Sequence, residues 1–489
     1  MKKIKINNRF LKYLVSITAL IVTLIFVFSR YDSFDIDGIW RFLVGRDISK
    51  RGLINDNPYS WINGTEWAQS EWLFDLMYYF IVNMLGMAGY VIMVIIPAVA
   101  IWTIGYLHKK GEKSAFLYLV FFIAVYISFP KDTASSPSYY SSLLLPILIL
   151  GYLKKDSYVK KCILSFVSGV ILSNFDLFEA VIIAFFLILF FITDQTFDLY
   201  NKKFDLKTCL KTLGMPFVYM AGMFVNPAGI NVIMEGKHLI TYYFDGNSYA
   251  PEKLIPSIVV ILVIMTCGYA VISDRKKEDC MVLVEVTAAV ILSFVSCKVG
   301  ISAIYLIVVL LPKYFYGMFK SILGDLIKIQ VEYHTADRMT LIGILIGIVF
   351  SVIVSIVGYP KDYGSYVHKE QEAVISDEMI ECLKGAEGLY MLHSDEVADY
   401  LMWNGISVMY DTRDINYSIG AEEDVTQGEI IYSFKNGSFA EDQFDELFKY
   451  YNSVLIDPSF EKSEWYFKYN TAFELVMTDE CGNSLYIRR

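Results

Sequence analysis

The chain has 489 residues, is 55% hydrophobic with a mean hydropathy of +0.45, and carries a net charge of −10. An apolar share of that size, divided among many separate runs, excludes a soluble globular protein of ordinary composition and identifies a polytopic membrane protein. No nucleic-acid partner is expected of it.

The first apolar run, Leu11 to Ser29, follows a basic start (Lys2, Lys3, Lys5, Arg9, Lys12). It has no small-residue cleavage site before Arg30 and further spans follow, so it reads as a retained helix rather than a signal peptide. Next comes a stretch between apolar runs, residues 30–72, with Asp32, Asp35, Asp37, Arg41, Arg46, Lys50, Arg51 and a late Glu71-Trp72. A tether needs only a few polar residues, and loops beyond about 12 to 15 residues are usually functional. Residues 70–85 are apolar and aromatic but short, which suits a helix at the outer interface with Trp and Tyr at headgroup level.

At roughly 20 residues per span, with slack for short or kinked ones, helices are expected near 11–29, 87–107, 114–129, 139–153, 161–174, 178–193, 212–225, 254–273, 280–297, 300–318 and 339–358, about eleven in all. With the N-terminus in the cytoplasm, the inner connections receive Lys109/Lys110/Lys113, Lys154/Lys155/Lys160/Lys161, Lys202/Lys203/Lys207/Lys211 and Arg275/Lys276/Lys277, in keeping with the positive-inside rule. The loop at 30–72, the connections near 130–138, 174–178 and 226–253, and everything after Pro360 are then outside. Cysteine accessibility is expected to find positions near Gly64 and Ser418 outside and positions near Lys155 and Lys203 inside. Labelling of Ser418→Cys from the cytoplasmic side would overturn both topology and site.

From Tyr359 to Arg489 the chain holds 10 Lys and Arg against 26 Asp and Glu, a charge of −16 that leaves the membrane part at +6, suited to anionic lipid. Strands are expected at 389–392, 406–410, 453–456 and 472–476, with helices near 366–384, 395–403, 440–451 and 460–468. The end reads as a hairpin turning at Cys481-Gly482-Asn483. This alternation predicts a small extracytoplasmic α/β domain, 359–489, after a transmembrane domain, 1–358. Cys382 and Cys481 are the two outer cysteines and are candidates to pair. No C-x-x-C, H-E-x-x-H, Walker loop or G-x-G-x-x-G occurs, which argues against a zinc protease, an ATPase and a dinucleotide enzyme.

A carboxylate on an outer membrane surface can act as general base toward a hydroxyl within hydrogen-bond reach. Asp35-Ile36-Asp37 places two carboxylates two residues apart, followed by Trp40. The same acids also suit a plainer role at a helix N-terminus, and so does Glu71 before Trp72.

The segment DIDGIWRFLVGRDI, residues 35–48, resembles the D-x-D-x-x-W-x-x-x-x-G-R-x-I opening of the first outer loop in bacterial polytopic membrane proteins of the GT-C glycosyltransferase superfamily. Asn57-Pro58-Tyr59-Ser60 is similar to their D-P-F-S, and Trp67 with Glu71-Trp72-Leu73 to their W-x-x-x-E-W-L. Asn226-Pro227-Ala228-Gly229 is similar to their N-P-x-G, and Asp399 to Trp403 with Asp411-Thr412-Arg413 to their outer-domain motifs. The matches recur in order over nearly the whole chain.

The resemblance implies a multi-pass α-helical GT-C fold that moves a sugar from a polyprenyl-phosphate-linked donor to an acceptor hydroxyl on the outer face. By position, Asp37 would be the base, and Asp35 and Glu71 would support it or hold a divalent cation such as magnesium or manganese. Trp40, Arg41 and Arg46 would meet the substrate, the arginines through the lipid phosphate, with Lys298 a third phosphate candidate; interfacial snorkelling is the alternative for all three cations. Asp411 and Arg413 would belong to an outer loop near the substrate. Two departures stand out. Asp176 replaces the His of an N-x-H motif, and Ser136 replaces the Arg of R-P. Asp132 and Asp176 would then serve as extra outer carboxylates, or as solvated loop acids. Two readings of other classes are a non-catalytic protein whose outer domain binds a partner or glycan, and a lipid-linked-sugar transporter. A transporter would carry internal repeats or charges at mid-membrane.

Overall fold

The computed structural model describes residues 17, 18, 21, 37–53, 58–59, 71–108, 136–154, 157–244, 268, 277–312, 314, 342–343, 345–350, 353–354, 357, 363–408, 444–445 and 448–489. The spans expected at 114–129 and 254–273 lie outside them, apart from Gly268; those at 11–29 and 339–358 are described in part and are helical where described. Two compact units are present, Met1–Phe34 with Ala88–Gly358, and Asp35–Met87 with Tyr359–Arg489. The loop helices group with the C-terminal segment.

The first two helices, α1 (Asp37–Arg51) and α2 (Trp72–Leu85), belong to the second unit. The first unit holds α3 (Met87–His108), α4 (Ser138–Ser141), α5 (Leu144–Leu153), α6 (Tyr158–Phe175), α7 (Leu177–Tyr200), α8 (Leu206–Met223), α9 (Val232–Phe244), α10 (Lys277–Ser293) and α11 (Cys297–Leu310). Among the described residues, three helices are long and apolar enough to cross a membrane: Met87–Gly105, Tyr158–Phe175 and Leu177–Tyr200.

Several expected helices have different bounds, each for a local reason. The helix expected at 139–153 is broken at Ser142-Leu143, because Pro146 has no N–H for the carbonyl four residues earlier and its ring crowds that carbonyl. The helix expected at 178–193 continues to Tyr200. Asp194 and Asp198, which end the apolar run, lie one turn apart and hold Lys277 Nζ at 2.8 and 2.6 Å. The outer connection expected at 226–253 contains a 3-10 turn, Gly229–Asn231, and then α9.

Glycine permits a close helix crossing in this unit. A Cβ on Gly169 of α6 would strike the Tyr219 carbonyl, and one on Gly222 of α8 would strike the Phe166 carbonyl. Small residues at matched positions let backbones approach in this way. The ends of α6 and α8 are then tied by amides: Asn174 Nδ2 donates to Val225 O at 2.7 Å, and Asn226 Nδ2 donates to Ser173 O. Helix α11 is buried from Ile301 to Leu310, a mostly apolar stretch in which Ser302 and Tyr305 spend their hydroxyls on Glu179 and the Tyr139 carbonyl.

In the second unit, α12 (Tyr363–Gln371) and α13 (Asp377–Lys384) replace the single helix expected at 366–384. Ser376 ends that expectation by accepting a hydrogen bond from Met379 N at 3.1 Å, which caps a new helix. Strand β1 (Leu389–Leu392), α14 (Asp395–Trp403), β2 (Ser453–Ile456), α15 (Glu461–Tyr469), β3 (Phe473–Thr478) and β4 (Ser484–Arg488) follow. The sheet order is β1-β2-β4-β3, with β1 parallel to β2 and the other pairs antiparallel. Its core is largely aromatic, built on Tyr390, Phe444, Phe448, Phe460, Tyr466, Phe467, Phe473 and Tyr486. The expected hairpin turns at Gly482, whose φ of +91° suits glycine, and Asp479 Oδ1 accepts from the backbone N–H of Cys481 and Asn483. Cys382 and Cys481 are both free thiols, so the pairing considered from sequence does not form. Of the strand expected at 406–410, residues 409 and 410 lie outside the described residues.

Candidate functional site

Helix α1 carries the acidic loop motif, and its ends follow from sequence. An aspartate at its first position and Lys50 and Arg51 in its last turn both complement the helix dipole. Gly52, at φ +80°, closes it by donating its N–H to Ile48 O at 2.9 Å.

Glycine again decides how this helix docks. A Cβ on Gly45 would run into the Asp75 carbonyl and Tyr79 of α2, and one on Gly38 would crowd the hydroxyls of Tyr78 and Tyr363. On its other side Phe42 packs against Tyr363 and Trp403, with ring centroids 5.0 and 5.6 Å apart. Val408 N donates to Tyr59 O at 2.8 Å, so the loop and the C-terminal segment share both packing and backbone bonds. The Asp399-to-Trp403 motif is therefore explained in part by packing against α1.

Arg41, one turn after Asp37, is buried between two carboxylates. Its NH1 donates to Asp75 Oδ1 and its NH2 to Glu71 Oε2, each at 2.7 Å. The guanidinium also lies over the rings of Trp40 and Phe74, at 4.3 and 4.9 Å from their centroids. Burial opposes its charge, but the attraction of Glu71 and Asp75 and their hydrogen bonds outweigh that, and the group is held protonated above its ordinary value. Arg41 is thus not a snorkelling side chain. Nor does the Glu71 side chain cap α2; its carboxylate turns to Arg41 instead. Asp75 was not singled out from sequence, although its i,i+4 spacing from Glu71 puts both acids on one helix face.

Arg46 is half-buried and pairs with Asp47 at 3.1 Å, while Asp47 also accepts from Tyr59 OH at 2.7 Å. Asp37 opens α1, but its side chain lies outside the described residues, as do Asp35, Asp132, Asp411 and Arg413.

The first unit holds a separate buried polar cluster. Asp176 is fully buried, which removes the solvated-loop reading. It caps α7 by accepting from Glu179 N at 3.1 Å, and its other oxygen accepts from Ser138 and Ser141 hydroxyls at 2.8 and 3.1 Å. Lys298 Nζ lies 4.0 Å from Asp176 and over the ring of Phe178. Glu179, also fully buried, accepts from Ser302 of α11. Sequence reading passed over Glu179; its signal is the capping spacing of an acid three residues after the cap. Glu285, in mid-α10, is fully buried and among the described residues neither carboxyl oxygen has a hydrogen-bond partner. The spans are therefore less free of buried carboxyls than their overall apolarity indicates.

No family model and no curated protein matches this sequence. Solved structures do. The oligosaccharyltransferase of Archaeoglobus fulgidus in its apo form matches with a TM-score of 0.54 and 10% identity, over 98% of this chain and 75% of that one. The same archaeon's oligosaccharyltransferase AglB, in complex with an inhibitory peptide and a dolichol-phosphate, matches with a TM-score of 0.50 and 11% identity, over 98% and 74%. At such identities the likeness is one of fold, which this mostly helical chain shares with those structures over 98% of its length.

Proposed function

We propose that this chain is a membrane glycosyltransferase of GT-C type that transfers a sugar from a polyprenyl-phosphate-linked donor to an acceptor hydroxyl on the outer face. The observation that carries the reading is the fold likeness over 98% of the chain, which gives weight to the acidic loop motif that opens α1. Dolichol-phosphate bound to AglB supports a lipid-linked donor class.

In this reading the Asp37 carboxylate accepts the proton of the acceptor hydroxyl as its oxygen attacks the anomeric carbon. The bond from that carbon to the phosphate oxygen breaks, and the polyprenyl phosphate leaves with the electron pair. Arg41, fixed by Glu71 and Asp75, holds α1 in place one turn from the base. Because Glu71 and Asp75 both compensate its buried charge, Arg41 is a positioning residue rather than a phosphate ligand, and half-buried Arg46 is the cation assigned to phosphate. Glu71, neutralised by Arg41, fits poorly as a ligand for magnesium or manganese and acts here as an orienting group. Asp35 assists Asp37, and Trp40 lines the approach. Asp132, Asp411 and Arg413 complete the candidate set as acceptor or donor contacts, whereas Asp176, fully buried and bonded to Ser138, Ser141 and Glu179 N, ties helix ends together.

The test is turnover by purified protein with a panel of polyprenyl-phosphate sugars and lipid-linked oligosaccharides. Transfer from at least one donor, abolished by boiling and reduced in Asp37→Asn, is expected. Absence of transfer with every donor class, by protein shown to be folded, would favour the non-catalytic reading.

A further inference from the structure

Away from both loci described above, the α12–α13 corner of the second unit gathers one imidazole and two carboxylates. His368 and Glu372 are four residues apart at the end of α12, so they lie on one side of the helix. The chain then turns, and Asp377, the first residue of α13, comes to the same point. His368 Nε2 lies 3.2 Å from Asp377 Oδ2 and its Nδ1 lies 3.8 Å from Glu372 Oε1. One ligand atom from each residue falls within 4.8 Å of the others.

We propose that His368, Glu372 and Asp377 form a binding site for a divalent transition metal of the zinc or manganese class. An imidazole beside carboxylates selects such ions over calcium or magnesium, which prefer oxygen ligands alone. The two carboxylates also give the corner negative charge, matched to a dication.

The corner is oriented from behind. Gln371, only 1% exposed, donates from Nε2 to Asp377 Oδ1 at 2.9 Å, and its own Oε1 accepts from Asn404 Nδ2 at 2.8 Å. This turns Asp377 Oδ2 toward the imidazole. Outer hydrogen bonds of that kind typically change metal affinity about 10- to 100-fold, whereas a pair of exposed ion bridges requires no such buried support and contributes little.

The backbone of the corner is fixed as well. Ser376 N donates to Asp479 Oδ2 at 3.0 Å, Asn483 Nδ2 donates to Val374 O at 2.8 Å, and the Cys481 thiol lies 3.5 Å from Glu372 O. The β3–β4 hairpin thereby holds the turn between the two helices in place. The imidazole offers one nitrogen to an ion; the carboxylate facing its other nitrogen reaches the ion by a change of rotamer, which its exposure permits. Water completes the coordination on the open side.

The test is equilibrium dialysis of the metal-stripped full chain in detergent against zinc chloride and manganese chloride, with metal analysis of the protein. One equivalent bound by wild type is expected, weakened at least about tenfold in His368→Ala, Glu372→Gln and Asp377→Asn, and by about tenfold in Gln371→Met through loss of the outer hydrogen bond. Cys382→Ser should bind as wild type does. Absence of binding by wild type, or wild-type affinity in His368→Ala, would overturn the proposal. Should His368→Ala fail to fold, Glu372→Gln and Asp377→Asn decide by the same measurement, which is independent of any glycosyl transfer.

Discussion

Asp37→Asn is expected to lower turnover by about 10² to 10⁴-fold, the usual contribution of a general base, while leaving expression and donor binding largely intact. An amide has nearly the shape of the carboxylate but cannot take the proton of the acceptor hydroxyl. The position also has a structural role, since an acid at the first residue of α1 favours the helix dipole. That role is worth only about 0.3 to 1 kcal/mol, and it would show as lost stability rather than as slow turnover of folded protein. Rates are therefore compared at matched folded protein. Asp35→Asn should be milder if Asp35 only assists its neighbour. Near-equal rates for Asp37→Asn and wild type would take the acid out of the mechanism.

Arg41→Met should destabilise the protein severely. Arg41 is 5% exposed and joins the carboxylates of Glu71 and Asp75 at the start of α2, and removing it leaves those two acids uncompensated in a largely buried site. Breaking a buried ion pair from one side costs about 3 to 5 kcal/mol. The triple variant Arg41→Met, Glu71→Gln, Asp75→Asn should recover much of that loss, because it removes the uncompensated charge together with its partners. Thermal unfolding of the single, double and triple variants gives the coupling. Strict additivity would mean that the three groups do not act as a unit. Turnover should also fall in any of these variants that folds, since Asp37 lies one turn from Arg41 on the same helix. Loss of stability without loss of activity would separate the triad from the site.

The pairing of Arg41 with Asp75 shows where sequence reading stops. The motif around Asp37 gave a reason to expect Arg41 and Glu71 near substrate, and nothing local distinguishes an arginine aimed at phosphate from one buried against acids. The choice depends on α2 packing closely on α1, and that depends on Gly45 having no side chain to meet Asp75 and Tyr79. The same limit applied to Asp176, whose neighbours Ser138 and Ser141 are more than thirty residues away in sequence.

The sequence by itself determined the apolar helical character, which among the described residues includes three helices long and apolar enough to cross a membrane, and strands β1, β2 and β3 through their short apolar runs. It also placed α14 at its observed bounds, where Ser394 caps a periodic run, because caps and periodicity are local physics. Only the tertiary structure decided which carboxylates are buried, which cation each one meets, and that the loop helices α1 and α2 form one compact unit with the C-terminal segment. Those outcomes depend on contacts between residues distant in the chain, where low dielectric makes an unpaired charge costly and the partner is set by packing rather than by spacing.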